Sequence, residues 1–159
     1  MKKIFLLAAI AVVLSATQTF AQSAYKNSFG LGIDFGEGST LVGPTYKHFF
    51  NGRDAVQADL LFGGDAVWLG GYYQYHQSFP DARSLKWYLG VGPQLAFVDD
   101  DYYDNSSTFV FVRPMVGLDF KVPGAPIGMS FDWRPMWQLN HDSDFEPARF
   151  GLSFRYTIN

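Results

Sequence analysis

The 159-residue chain contains no cysteine. That one absence excludes disulfides, iron–sulfur clusters, thiolate zinc sites and cysteine nucleophiles together. Charge is scarce as well: Asp, Glu, Lys and Arg make up 17% of the residues, where about 25% is usual. Cations are the minority, 12 against 15 carboxylates, so there is no basic footprint for nucleic acid. No segment after residue 21 carries a helical apolar stripe of useful length, because 16 glycines and 8 prolines punctuate the chain too often. What is abundant is apolar and aromatic: 48% hydrophobic and 18% aromatic residues. That balance excludes an intrinsically disordered chain, and the length suits one domain.

The N-terminus reads as a targeting segment. Lys2 and Lys3 precede an unbroken apolar run from Ile4 to Leu14, followed by Ser15-Ala16-Thr17-Gln18-Thr19-Phe20-Ala21. The run is too short to span a bilayer as a helix, which takes ~20 residues. Thr19 and Ala21 fit the small-residue positions before a signal-peptidase cut. The expectation is a cleaved secretory signal over 1–21 and a mature domain over 22–159.

The remainder alternates with period two. In 28–36, Phe29, Leu31, Ile33 and Phe35 share a face opposite Gly30, Gly32 and Asp34. The same alternation runs through 55–63, 85–98, 127–138 and 149–158, and less cleanly through 40–50, 66–77 and 109–121. Eight strands of this length suit tilted membrane crossings, which need ~9–11 residues, better than soluble domains, whose strands average about 5–6. Connections alternate too. The short ones fall at 51–54, 78–84 and 123–126; the other side carries 36–39, 63–65, 99–107 and 139–147. Outer-membrane barrels have short periplasmic turns and longer outer loops.

The apolar faces are dense with Phe, Leu, Val and Trp, and the polar faces hold few charges and much glycine. A small barrel interior cannot hold eight such apolar faces, so they point into hydrocarbon, and closure satisfies every backbone group there. Phe50, Tyr75, Trp87, Phe120 and Tyr156 form one aromatic girdle, and Phe35, Phe62, Phe97, Trp137 and Phe150 the other. The reading is an all-β, eight-stranded antiparallel up-and-down transmembrane β-barrel.

The final strand reads Arg149-Phe150-Gly151-Leu152-Ser153-Phe154-Arg155-Tyr156. Its Gly151, Phe154 and Tyr156 resemble the signal read by the outer-membrane barrel assembly machinery. In the usual form the aromatic ends the chain or stands next to last; here Thr157, Ile158 and Asn159 follow. With the secretory segment and eight strands, the mature chain resembles small outer-membrane barrels of the OmpA/OmpX type. The resemblance implies insertion by that machinery and contact with outer-membrane lipids and lipopolysaccharide.

The inward set by parity is Asp34, Lys47, Asp59, Lys86, Arg113, Asp119, Asp132, Arg134, Arg149 and Arg155. Both signs are present, and charges in a narrow lumen must pair or stay wet. This set makes either a salt-bridged plug or an ion-selective pore. An eight-stranded barrel leaves little free lumen, which favours the plug. His141 and Ser143 resemble the catalytic pair of lipid A deacylase barrels. Asp144 stands where that family has asparagine, however, and the last strand offers no acid. Asp99, Asp100, Asp101, Asp104, Asp142, Asp144 and Glu146 make the two long loops acidic. They suit divalent bridging to lipopolysaccharide phosphates but follow no EF-hand pattern. The expectation is a non-enzymatic outer-membrane barrel with a structural or surface-interaction role and no cofactor or resident metal. A narrow channel and a lipid A-modifying enzyme are the alternatives.

Overall fold

A computed structural model describes residues 25–98, 107–140 and 144–159. The expected signal segment, Asp99, Asp100, Asp101, Asp104, His141, Asp142 and Ser143 lie outside them. The described residues form strands β1 (Asn27–Gly36), β2 (Leu41–Phe49), β3 (Asp54–Gly63), β4 (Ala66–Phe79), β5 (Ala82–Val98), β6 (Ser107–Lys121), β7 (Ile127–Trp133), β8 (Met136–Gln138), β9 (Phe145–Glu146) and β10 (Arg149–Ile158). β7 and β8 are two parts of one wall strand, and β9 and β10 two parts of another. Each strand from β1 to β6 pairs antiparallel with the next, β6 pairs with β7 and β8, and β10 pairs with both β7 and β1. The result is a closed eight-stranded antiparallel barrel, which leaves no edge strand to hydrogen-bond elsewhere.

Period two sorts the side chains. Leu31 is 58% exposed, Leu89 51% and Phe131 48%, whereas Arg113 and Lys47 are fully buried. The apolar residues are outside and the charges inside, the inverse of a soluble barrel and the arrangement hydrocarbon demands. All ten girdle aromatics are exposed or half-buried rather than buried.

Two boundaries differ from the sequence reading. The segment 78–84 is mostly strand: β4 runs to Phe79 and β5 starts at Ala82, leaving Pro80 and Asp81 as the turn. The segment 127–138 is broken at Arg134-Pro135. The registers Val116↔Trp133 and Val112↔Trp137 place Pro114 opposite Pro135. Neither has an N–H to give the ladder, so it lapses there. At the loop end, Gly64 and Asp65 both have positive φ, 63° and 56°. They close the β3–β4 hairpin as a two-residue turn of the kind that matches strand twist.

Candidate functional site

The barrel interior is the densest assembly of chemistry among the described residues. Alternation brings nine of the ten expected inward charges into it as fully or almost fully buried side chains: Asp34, Lys47, Asp59, Arg113, Asp119, Asp132, Arg134, Arg149 and Arg155. Four carboxylates thus face five cations. Lys86 has inward parity but stands half-buried at the turn end, where Nζ donates to the Gly52 carbonyl (3.2 Å) and lies over the Phe49 ring.

Three clusters fill the interior. Towards the loop end, Asp34 on β1 accepts from Arg113 on β6 and from Arg149 Nη2 on β10 (2.6 Å). Arg113 also donates to Gln94 Oε1 (2.7 Å) and to the Arg134 carbonyl (2.7 Å). That last bond gives a donor to the backbone at the proline break.

At mid-height, Arg134 binds Asp132 through two donors and reaches Asp59 on β3 (3.1 Å). Thr45 and Gln57 complete the shell of Asp59. Tyr88 donates to Asp132 across Gly117, which stands between them in the register. A Cβ at Gly117 would collide with Asp132, and one at Gly151 with the Arg134 guanidinium. Glycine is what lets these groups share one level of so narrow a tube. Gly151, expected in the assembly signal, therefore also makes room for Arg134.

Towards the turn end, Lys47 on β2 pairs with Asp119 on β6 (2.7 Å). Tyr25 donates to the same carboxylate, and His76 Nε2 lies 3.6 Å from it. The His76 ring is stacked on Tyr88 and tilted against Phe49. Arg155 donates to Ser130 Oγ (3.1 Å) and Gln57 Oε1 (2.9 Å) rather than to a carboxylate.

The clusters join opposite walls. In the ring of eight, β2 stands across from β6, and β3 from the strand made of β7 and β8. Lys47–Asp119 and Arg134–Asp59 span those two diameters. Alternation put Gln57, Gln94 and Ser130 on the polar faces without giving them a role, and it did not single out Tyr25, Thr45, Tyr72, Gln74, His76 or Tyr88. Thr45, Gln57, Tyr88, Gln94 and Ser130 share the parity of a named charge on their own strand; Tyr72, Gln74 and His76 lie on β4, which has no charged residue, and Tyr25 precedes β1. Sequence reasoning also missed inward apolar residues, Leu41, Leu61, Phe111, Met115 and Met136, which fill space between the polar clusters.

Of the expected loop acids, Asp144 and Glu146 are described. Asp144 accepts from the Phe145 N–H and is exposed; Glu146 is half-buried on β9, opposite Met136. Among the described residues no three metal-ligating side chains converge. Phe154 and Tyr156 of the expected assembly signal face outward on β10, 47% and 51% exposed.

This fold, with a polar interior and an apolar belt, is that of the small eight-stranded outer-membrane barrels of the OmpA type. Among solved structures, the N-terminal β-barrel domain of Pseudomonas aeruginosa OprF superposes with a TM-score of 0.65. The match covers 85% of this chain and 100% of that one, at 13% sequence identity, so the likeness is one of fold. No family model matches the sequence, and no curated protein does.

Proposed function

We propose that the chain is an integral outer-membrane protein whose barrel is a sealed, non-enzymatic support for its outer loops, with a structural or surface-interaction role. Its signal segment is removed near Ala21, the turn end faces the periplasm and the long loops face outward. Assembly proceeds through the barrel assembly machinery, with Gly151, Phe154 and Tyr156 as the contact. Asp99, Asp100, Asp101, Asp104, Asp142, Asp144 and Glu146 meet lipopolysaccharide through bridging divalent cations.

The observation that carries this reading is the pair of ion pairs spanning opposite walls, Lys47–Asp119 and Arg134–Asp59. Groups tied across two diameters of a narrow tube stand in the way of a continuous wet path. The test is conductance in planar bilayers, combined with mass spectrometry of lipid A from cells expressing the chain. The sealed support predicts a flat current record and unmodified lipid A. Discrete steps in current would establish the channel, and loss of an acyl chain dependent on Ser143 would establish the enzyme.

A further inference from the structure

Tyr25 lies outside the alternation that explains the other lumen residues. It precedes β1, yet it is only 7% exposed. Its ring meets Phe49 edge-on at 5.1 Å and shares a small apolar cluster with Phe49 and Ala55. Its hydroxyl donates to both oxygens of Asp119, at 3.0 and 3.1 Å. Asp119 belongs to β6, three wall strands from β1 by the shorter way round. The side chain therefore crosses the turn-end mouth from one wall towards the other. The next residue is held in the ladder on both sides: the Lys26 N–H donates to Ile158, and the Lys26 carbonyl accepts from Phe49, so any movement of the ring is a rotation at Tyr25 itself. Burial, ahead of the Asp119 carboxylate, pushes the Tyr25 phenol up, so the hydroxyl stays a donor.

We infer that Tyr25 is a lid, turning on its own bonds ahead of the ladder-held Lys26, that closes the turn-end mouth of the lumen over Lys47, Asp119 and Arg155. Phe49 is the seat and Asp119 the latch. Behind the lid stands a second, independent barrier, the Asp59–Arg134–Asp132 cluster. Opening the lid therefore exposes the Lys47, Asp119 and Arg155 cluster to small polar solutes and leaves the loop-end cluster covered. Behind it Lys47 and Arg155, with Lys86 at the turn end, outnumber the one carboxylate, Asp119, so the opened mouth favours small anions. The lid belongs to the barrel alone and stands whether or not the outer loops carry the function.

The absence of native cysteine makes the test clean. Ser28 is the first inward residue of β1, buried at 1% behind Tyr25; Ala96 is buried at 1% in the loop-end half, against Phe111 and Met136. Ser28→Cys and Ala96→Cys are each placed in the full chain with Tyr25, with Tyr25→Ala and with Tyr25→Phe. Labelling by the anionic reagent sulfonatoethyl methanethiosulfonate is then timed on SDS-resistant, folded barrel. Loss of the ring and both hydrogen bonds should speed labelling at Ser28→Cys by about tenfold or more and leave Ala96→Cys unchanged. Tyr25→Phe keeps the seat and loses the latch, and should give about threefold. If Tyr25→Ala does not yield folded barrel, the Tyr25→Phe comparison decides. An unchanged rate at Ser28→Cys overturns the lid, and so does equal acceleration at both sites, which would mean a loosened wall.

Discussion

Asp34 takes donors from β6 and β10 and is fully buried between them. Breaking such a buried pair by removing one partner costs about 3–5 kcal/mol, because the remaining charge is stranded. Asp34→Ala would leave two guanidinium groups, Arg113 and Arg149, with neutral acceptors only and no carboxylate among the described residues. The expected loss is at the top of that range, measured by urea titration of the barrel folded into vesicles. Asp54 is the contrast. It sits at the turn end, hydrogen-bonded to Asn51 and Tyr73 but open to solvent. Asp54→Ala should cost far less than Asp34→Ala, because solvent takes over its hydrogen bonds and screens its charge. Comparable losses at the two sites would mean that the interior network adds no more than a surface bond. Asp34, Asp59, Asp119 and Asp132 were legible from parity alone, as were the cations they meet. Which carboxylate meets which cation was not, because pairing depends on strand register and on where glycine clears space. Tyr25 was illegible for a further reason: it lies before the first strand, where alternation has nothing to say.

At the scale of elements, strand existence was readable because lipid on one side and packed polar groups on the other enforce alternation along the whole crossing. Ends were less readable. Ser78 and Phe79 look like loop beside Pro80, yet β4 carries them to the turn. The break at Arg134-Pro135 also escaped the pattern, since Trp133 and Trp137 keep the same parity on either side of it. It arises from two prolines meeting across neighbouring strands, a property of register and not of either segment. The loops are the elements on which surface interaction depends. If divalent cations bridge their carboxylates, EDTA should raise amide hydrogen exchange across 99–107 and 139–147 by about tenfold while strand amides keep their protection. Exchange in both loops that ignores EDTA would remove the cation from the account.

At the scale of the whole molecule, the account rests on one inversion: apolar side chains outside, a nearly balanced set of charges within. Hydrocarbon accepts the first, and closure of the ring removes every free strand edge. The cross-wall ion pairs then fix the tube's section, and the glycines opposite large side chains let it close at eight strands. The resemblance to the OprF barrel domain at 13% identity shows how little sequence such a fold requires once alternation and strand length are kept. The most direct measurement of this inversion uses nitroxide labels on single cysteines in vesicles. Leu89→Cys, Leu118→Cys and Phe131→Cys report on the outward face, and Gly52→Cys, in an exposed turn, serves as the aqueous reference. The account predicts that the first three labels collide with dissolved oxygen and are shielded from a water-soluble nickel chelate, while Gly52→Cys shows the reverse. Free access of the nickel chelate to Leu89→Cys, Leu118→Cys and Phe131→Cys would contradict it, because those faces would then line water and not lipid.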